Sequence, residues 1–192
     1  MPYLIEGIVT TQNGDGTHNV APMGPIVPAD GQLLFRPFQT SHTFSNLMQH
    51  RSGVFHWIDD VLLLTRAALN IEVSEISTVA LEGSANVRLA DCCQWSEFEI
   101  VEVETSEQRS EMLAQVMRTE VVRPFQGWNR ATHAVLELVI KATRLSLLPR
   151  EDIEQEKQRT QVVLEKTASQ REYQAYELVN GVIEGYYREQ QA

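Results

Sequence analysis

Residues 36–47, which read RPFQTSHTFSNL, combine the residue types that bind phosphate groups. Arg36 is the first cation of the chain, and an arginine can hold a phosphate through two parallel hydrogen bonds. The polar residues that follow it are Thr40, Ser41, Thr43 and Asn46. They lie where a strand predicted over 32–38 gives way to a helix predicted over about 43–50, whose first-turn N–H groups would attract an anion. Ser41 or Thr43 is also explained as an ordinary helix N-cap, so this segment alone leaves both interpretations open.

An irregular strand precedes this segment and has free backbone groups to offer a ligand. Residues 4–11 are rich in β-branched types, and the Asn-Gly-Asp-Gly sequence at 13–16 predicts a hairpin turn. The partner strand, from 17 to about 28, contains Pro22, Pro25 and Pro28. Because proline cannot donate to a ladder, this strand must lie at an edge, bulge or leave the sheet. The residues around the irregularity, and thus the candidates for backbone contact, are Ala21, Pro22, Met23 and Gly24.

Further strands and helices are predicted along the rest of the chain. The strands are expected at 53–58, at 92–104 with a β-bulge near Ile100, and at 111–122, and Asp59-Asp60 is expected to form a turn. The helices are expected at 61–69, at 129–147 with Pro149 ending it, from Glu151 onward, and after a capping box at Ser169–Glu172. Residues 105–108 resemble a second capping box or a turn, and 70–90 show no clear periodicity.

Composition excludes several classes of protein. The chain has 26 acidic and 16 basic residues, for a formal net charge of -10, and the basic ones form no stripe, which argues against nucleic-acid binding. No apolar run approaches the ~20 residues of a membrane helix, so a cytoplasmic protein is expected. Adjacent Cys92 and Cys93 are expected to be buried thiols in a strand, because their side chains would point to opposite faces. The five histidines are scattered, and no metal site is expected.

The order of elements indicates the fold class. Strands come first and helices last, and the glycine fingerprint of a doubly wound dinucleotide fold is missing. This order predicts an α+β, mainly β protein, with a six-stranded barrel that receives a helix after its third strand. We expect a barrel domain over 1–127 and a helical subdomain over 128–192.

Several segments together resemble a known family. They are TTQNGDGTHNVAPMG at 10–24, RPF at 36–38 with Thr43 and Asn46-Leu47, NRA at 129–131 and ATRL at 142–145. They resemble the flavin-reductase-like FMN-binding split barrels, and within these an uncharacterised branch found in methanogens and in bacteria with methanopterin-linked one-carbon metabolism.

The resemblance implies a cofactor and an assembly. FMN would bind at a homodimer interface, with its phosphate held by Arg36 and residues 40–46 and its ring edge contacted by the backbone of 21–24. Asn19 would add a side-chain contact. Asn129 and Arg130 would supply a second anion or flavin contact, although a helix cap and a solvated charge explain them equally well.

The implied activity is that of a flavin-dependent oxidoreductase. The flavin would take hydride, with a nicotinamide as the candidate electron donor, and pass it to an unidentified substrate. Three alternatives remain open: a reductase of a pterin or another one-carbon carrier, a non-catalytic FMN-binding module, and a structural dimer whose pocket is empty or holds an anion. No general acid or base can be named from the sequence.

Overall fold

The computed structural model describes residues 3–29, 31–105 and 110–190 of the 192-residue chain. The chain forms two compact units, the first from the residues up to Ile58 with Ser74–Phe125, the second from Asp59–Val73 with the residues from Gln126 onward. The strands are β1 (Tyr3–Leu4), β2 (Gly7–Gln12), β3 (His18–Met23), β4 (Ile26–Val27), β5 (Gln32–Phe35), β6 (Ser52–Trp57), β7 (Thr78–Ala80), β8 (Val87–Leu89), β9 (Gln94–Glu104) and β10 (Glu111–Val121). The helices are α1 (His42–His50), α2 (Val61–Leu69), α3 (Arg130–Ala142), α4 (Arg150–Thr167) and α5 (Gln170–Glu189).

The N-terminal hairpin keeps one register from its turn to its base. Gln12 faces His18 near the turn, and Leu4 faces Ile26 at the base, with no slip between them. Strands β1 and β2 are therefore one interrupted strand, and β3 and β4 are another. The sheet order is β1-β4-β5-β10-β9-β6-β2-β3, so the base and the tip of this hairpin lie at opposite ends of the sheet. The sheet must curl to bring both ends to one hairpin, which gives the predicted barrel of six strands, two of them interrupted.

The prolines explain where the hairpin is interrupted. The bonds from Asn13 N–H to the Thr17 carbonyl and from Ile5 N–H to the Pro25 carbonyl show that odd-numbered residues of the second arm face the first arm. Pro25 has no N–H for the return bond to Ile5, and the ladder breaks beside it. Pro22 points its nitrogen away from the partner, where the missing N–H removes no ladder bond. Of the three predicted possibilities, the structure shows an edge position for β3, which ends the sheet, whereas β4 of the same arm lies between β1 and β5.

Aromatic rings form the centre of the barrel core. Ring centroids lie 4.7 Å apart for Phe35 and Phe98 and 4.8 Å apart for Phe55 and Trp57. The other fully or nearly fully buried members of this core are Val9, Leu33, Leu47, Ile100, Met112 and Ala114. Close strand approach requires glycine at position 7, because a Cβ there would lie 2.4 Å from the His56 carbonyl oxygen.

The irregularity predicted near Ile100 is confirmed. Ala114 faces Ile100 and Leu113 faces Glu102, so Val101 is left without a partner residue and forms a bulge. Strand β9 begins at Gln94, so Cys92 and Cys93 lie just before the strand rather than in it. Both cysteines are buried thiols that are not joined by a disulfide, as predicted.

Helix α2 belongs to the second unit. The Asp60 carboxylate caps it by accepting hydrogen bonds from the N–H groups of Leu62 and Leu63 at 2.9 and 3.1 Å, so Asp60 is a helix cap and not merely a turn residue. The buried face of α2, which includes Val61 and Leu64, packs against α3 and α5. The sequence analysis had grouped residues 59–73 with the barrel, since nothing local shows where an amphipathic helix docks.

The C-terminal helices follow the predicted periodicity with one change. The buried face of α3 is formed by Ala131, Val135, Leu138, Val139 and Ala142, which recur at helical spacing. This helix ends at Ala142 and not at 147, and the Thr143 hydroxyl donates to the Ile140 carbonyl at 2.8 Å just beyond its end. Pro149 is the N-cap residue of α4, and the capping box at Ser169 and Glu172 is confirmed. The candidate capping box at 105–108 falls on residues that are, apart from 105, outside the described part of the chain.

Among the described residues, no helix is both long enough and apolar enough to span a bilayer.

Candidate functional site

The outer edge of β3 carries backbone groups that no strand of the described residues covers. The even-numbered residues of this arm, Val20, Pro22 and Gly24, turn their backbone groups away from β2. Ile26 uses the same side to pair with Leu34 of β5. Continuing that register by two residues brings Gly24 opposite Arg36, where β5 has ended. We call the space between residues 20–24 and residues 36–43 the edge gap.

The start of α1 borders the edge gap. Ser41 is the N-cap residue: its hydroxyl accepts from Phe44 N–H at 3.2 Å and donates to the Phe38 carbonyl at 2.7 Å. Capping was one of the two interpretations of Ser41, and it is the one that the structure shows. In the described part of the chain, the N–H groups of His42 and Thr43 have no acceptor, and Thr40 is exposed just before them. Two free amides and an exposed hydroxyl thus meet at one helix end, which is the arrangement that accepts an anion.

Buried amide side chains fix α1 against the hairpin. Asn46 donates to the Thr11 hydroxyl at 3.0 Å and to the Asn13 side-chain carbonyl at 2.8 Å. Asn19 donates to the Thr43 hydroxyl at 3.1 Å. Sequence analysis expected Asn19, Thr43 and Asn46 to contact a cofactor, and the structure brings all three together at one end of the edge gap. Their observed contacts position the helix start, and ligand contact by these residues remains a prediction.

Arg36 borders the edge gap directly after the end of β5 and already has an anionic partner. Its Nη2 is 2.6 Å from Oε1 of Glu111, and both side chains are nearly half exposed. The N–H of the neighbouring Ser110 donates to the Pro37 carbonyl at 3.1 Å. The Ser110 hydroxyl is buried and has no hydrogen-bond partner among the described residues. The residue whose N–H holds the Pro37 carbonyl thus carries an unsatisfied, buried hydroxyl.

Gly24 has a local explanation. A Cβ at this position would lie 3.0 Å from Leu4 Cδ2 and 3.2 Å from Glu6 Oε2, so neighbouring side chains occupy the space that a side chain would need. Ala21 and Met23 turn their half-buried side chains to the barrel core and their backbone groups to β2, which leaves the backbone of Pro22 and Gly24 as the part of 21–24 that a ligand can reach. Backbone contact by these residues remains a prediction.

Asn129 and Arg130 lie in the helical unit. The Asn129 side-chain carbonyl accepts from Ala131 N–H at 2.7 Å, and its amide donates to the Thr167 carbonyl at 3.1 Å. Both ends of this amide are therefore engaged, as the capping interpretation requires. Arg130 is exposed and forms no ion pair among the described residues. The second anion or flavin contact expected from this pair remains a prediction.

Two strongly perturbed groups are structural. His56 is fully buried, with Nδ1 3.0 Å from the Ile8 carbonyl oxygen and Nε2 accepting from Leu89 N–H at 3.0 Å. Burial lowers the pKa of His56 to about 4, so the ring stays neutral and joins β2, β6 and β8. Burial raises the pKa of Cys92 to about 11, which makes it an inert thiol at neutral pH. No metal-binding cluster of three His, Cys, Asp or Glu side chains occurs in the part of the chain that the structure describes.

Sequence reasoning missed several residues that shape the edge gap. Thr11 and Asn13 were read only as strand and turn residues, although polar types at alternate positions beside a hairpin turn suggest a shared binding face. Glu111 had no local signal, because it reaches Arg36 only through the pairing of β5 with β10.

Comparisons of the sequence give a family but no characterised relative. The family model "Protein of unknown function (DUF447) N-terminal domain" matches residues 5–123, and the model "Protein of unknown function (DUF447)" matches residues 129–181. No curated protein matches the chain.

Solved structures with the same fold include flavin proteins. The FMN-bound protein MM1853 of Methanosarcina mazei, also matched by the DUF447 model, is 23% identical, with a TM-score of 0.78 over 93% of this chain and 94% of that one. A Shewanella frigidimarina protein with a split barrel domain of the flavin reductase type is 11% identical, with a TM-score of 0.56 over 62% of this chain and 67% of that one. The Streptomyces globisporus NADH:FAD oxidoreductase SgcE6 is also 11% identical, with a TM-score of 0.53 over 63% and 71% of the two chains. At these identities the likeness establishes the split-barrel fold.

Proposed function

The chain belongs to the DUF447 family, whose N-terminal model alone covers more than half of it, and from this premise we propose that it is an FMN-binding protein. The observation that carries the proposal is the edge gap, which has unpaired backbone groups on one side and an anion-binding helix start on the other. The FMN-bound relative of the same family supports the choice of cofactor.

The residues present fit the phosphate of FMN. Arg36 supplies a charged donor, and the free amides of His42 and Thr43 supply two more at the positive end of α1. Thr40 adds an exposed hydroxyl just before this helix start. The Asn46 and Asn19 hydrogen bonds hold this helix start in place, so little ordering is needed when the anion binds.

The β3 edge fits the polar edge of an isoalloxazine ring. That ring edge alternates between groups that accept and donate hydrogen bonds, and the free edge offers N–H and carbonyl groups at Val20 and Gly24 and a carbonyl at Pro22. An ordinary neighbouring strand would satisfy these groups, and β5 stops short of doing so.

We propose further that the protein with FMN bound is an oxidoreductase. FMN, when bound, supplies hydride and electron transfer, so the chain itself needs to bind and orient the flavin rather than provide a reactive side chain. This division of labour agrees with the barrel unit, where the strongly perturbed groups His56 and Cys92 are engaged or inert. The electron donor proposed is a nicotinamide, and the assembly proposed is a homodimer formed by the barrels.

Purified protein tests both levels of the proposal. Incubation with FMN followed by gel filtration should leave a visible flavin spectrum on the protein fraction, and loss of all flavin would reject FMN binding. Anaerobic addition of NADH or NADPH should then bleach the bound flavin. A protein that keeps FMN and is not reduced by either donor is a flavin-binding module without the proposed donor, and the oxidoreductase proposal would fail while the binding proposal stands.

A further inference from the structure

We propose that Glu111 competes with the ligand phosphate for Arg36 and so limits how strongly the edge gap prefers FMN over riboflavin. The inference rests on the proposed FMN binding and names a residue that sets specificity for the phosphate. Charge and distance support it, together with the position that the sheet imposes on both side chains.

The register of the sheet places Glu111 beside Arg36. Phe35 faces Met112 across β5 and β10. The strands are antiparallel, so the same register brings Arg36, which follows Phe35, opposite Glu111, which precedes Met112. Their closest atoms are 2.6 Å apart, a length typical of a charge-assisted hydrogen bond. The contact is thus built into the strand pairing.

The charges around Arg36 oppose a phosphate unless the ion pair opens. Glu111 is the carboxylate that contacts the Arg36 guanidinium, whereas Glu104, which faces Glu111 across β9 and β10, forms no ion pair with Arg36. A flavin phosphate that reaches the Arg36 guanidinium lies within a few ångströms of the Glu111 carboxylate and is repelled by it. Since both side chains of the pair are nearly half exposed, the ion pair is weak enough to be exchanged.

Riboflavin is the matched ligand, because it has the same ring and no phosphate. Glu111→Gln keeps the shape of the side chain and removes its charge. We expect this variant to bind FMN about threefold to tenfold more tightly than the wild type, the size expected for removing one exposed charge pair and one repulsion. Its affinity for riboflavin should stay within about twofold of the wild-type value, because no phosphate is present to be repelled.

Glu104→Gln is the matched control. It removes one negative charge from the facing residue of the same strand pair, and Glu104 forms no ion pair with Arg36. We expect its FMN affinity to stay within about twofold of wild type, since screening weakens the more distant charge. A gain as large as that of Glu111→Gln would show a general charge effect and overturn the competition.

Dissociation constants are measured by flavin fluorescence at one pH and one ionic strength, with thermal unfolding of each variant as a check on folding. In an Arg36→Ala background, Glu111→Gln should raise FMN affinity by less than it does in the wild type, because only the repulsion between carboxylate and phosphate is then left to remove. Weaker FMN binding by the single variant would overturn the proposal and make Glu111 a positioning residue for Arg36. Equal changes for FMN and riboflavin would also overturn it. Wild-type protein that binds neither flavin would reject the proposed function and this inference together, whereas normal binding with an unchanged Glu111→Gln rejects only the inference.

Discussion

Replacing His56 with glutamine is expected to flatten the pH dependence of folding stability between about pH 8 and about pH 5. The imidazole is fully buried and holds the Ile8 carbonyl and the Leu89 N–H, each at 3.0 Å. Burial lowers its pKa from 6.5 to about 4. As the pH falls, the unfolded chain therefore takes up the proton first, and the folded state loses stability.

The sign and size of the effect follow from these two pKa values. The stabilisation by neutral His56 is complete above 6.5 and is lost as the pH falls toward about 4. The full gap corresponds to about 3 kcal/mol of unfolding free energy, and roughly 2 kcal/mol of it should be lost by about pH 5. Glutamine can donate to Ile8 and accept from Leu89 but does not titrate, so the variant should lack this component.

Urea unfolding at several pH values gives the slope of the unfolding free energy against pH. The effect of His56 is the slope for the wild type minus the slope for His56→Gln. His133→Gln is the control for the chemical change itself, because it replaces an imidazole at an exposed position by the same amide. Identical slopes for wild type and His56→Gln would refute the reasoning. If the variant does not fold, the wild-type His56 ring resonances decide the question by NMR: a titration midpoint near 6.5 would refute it equally well.

Three further outcomes are expected. Arg36→Ala should weaken FMN binding about tenfold to a hundredfold and leave riboflavin binding unchanged. Arg51→Ala, at the other end of α1, should change the affinity for neither flavin. Equal losses of FMN and riboflavin affinity in Arg36→Ala would reject the phosphate assignment. Asn46→Ala should lower the unfolding free energy, measured by urea titration, by about 1–3 kcal/mol, because it removes two hydrogen bonds to the hairpin. Ser45→Ala, at the exposed neighbouring position, should lower it by less than about 0.5 kcal/mol. Equally small effects of both variants would show that the hydrogen bonds of Asn46 contribute little to stability. Light scattering should show a dimer of the 21.8 kDa chain. Leu4→Glu on the barrel should dissociate this dimer and Leu147→Glu on the helical unit should not, although both leucines are largely exposed. Dissociation by Leu147→Glu alone would contradict a barrel interface.

The structure shows why local patterns predicted much of the fold. The turn at 13–16, the capping box at Ser169 and the strand limits near β6 and β10 depend on residues close in sequence, and all were predicted within a residue or two. Proline spacing also predicted the edge strand, because a missing N–H restricts a strand wherever it lies. The fold itself was predicted through resemblance of several short segments and is confirmed.

Features that depend on distant pairing were not predictable. The Arg36 and Glu111 pair joins residues 75 positions apart through the β5 and β10 register, and no local signal marks it. Docking of α2 on α3 and α5 has the same cause. Local competition explains the early end of α3: helical periodicity continues past Ala142, but the Thr143 hydroxyl bonds back to the Ile140 carbonyl and the chain turns. At the candidate site, residue types suggested Asn46 and Asn19 as polar candidates. They did not show that Asn19 donates to Thr43 on α1 or that Asn46 donates to Thr11 on the hairpin.

The stoichiometry of bound FMN tests the central claim most directly. Purified protein saturated with FMN and freed of excess flavin by gel filtration should carry about one FMN per chain, measured from the visible absorbance and from the phosphorus content of the protein fraction. The Arg36→Ala variant, treated in the same way, should lose most of that flavin. A wild-type fraction that holds no flavin, or that holds as much riboflavin as FMN under the same conditions, would contradict an FMN site built on the β3 edge and the start of α1.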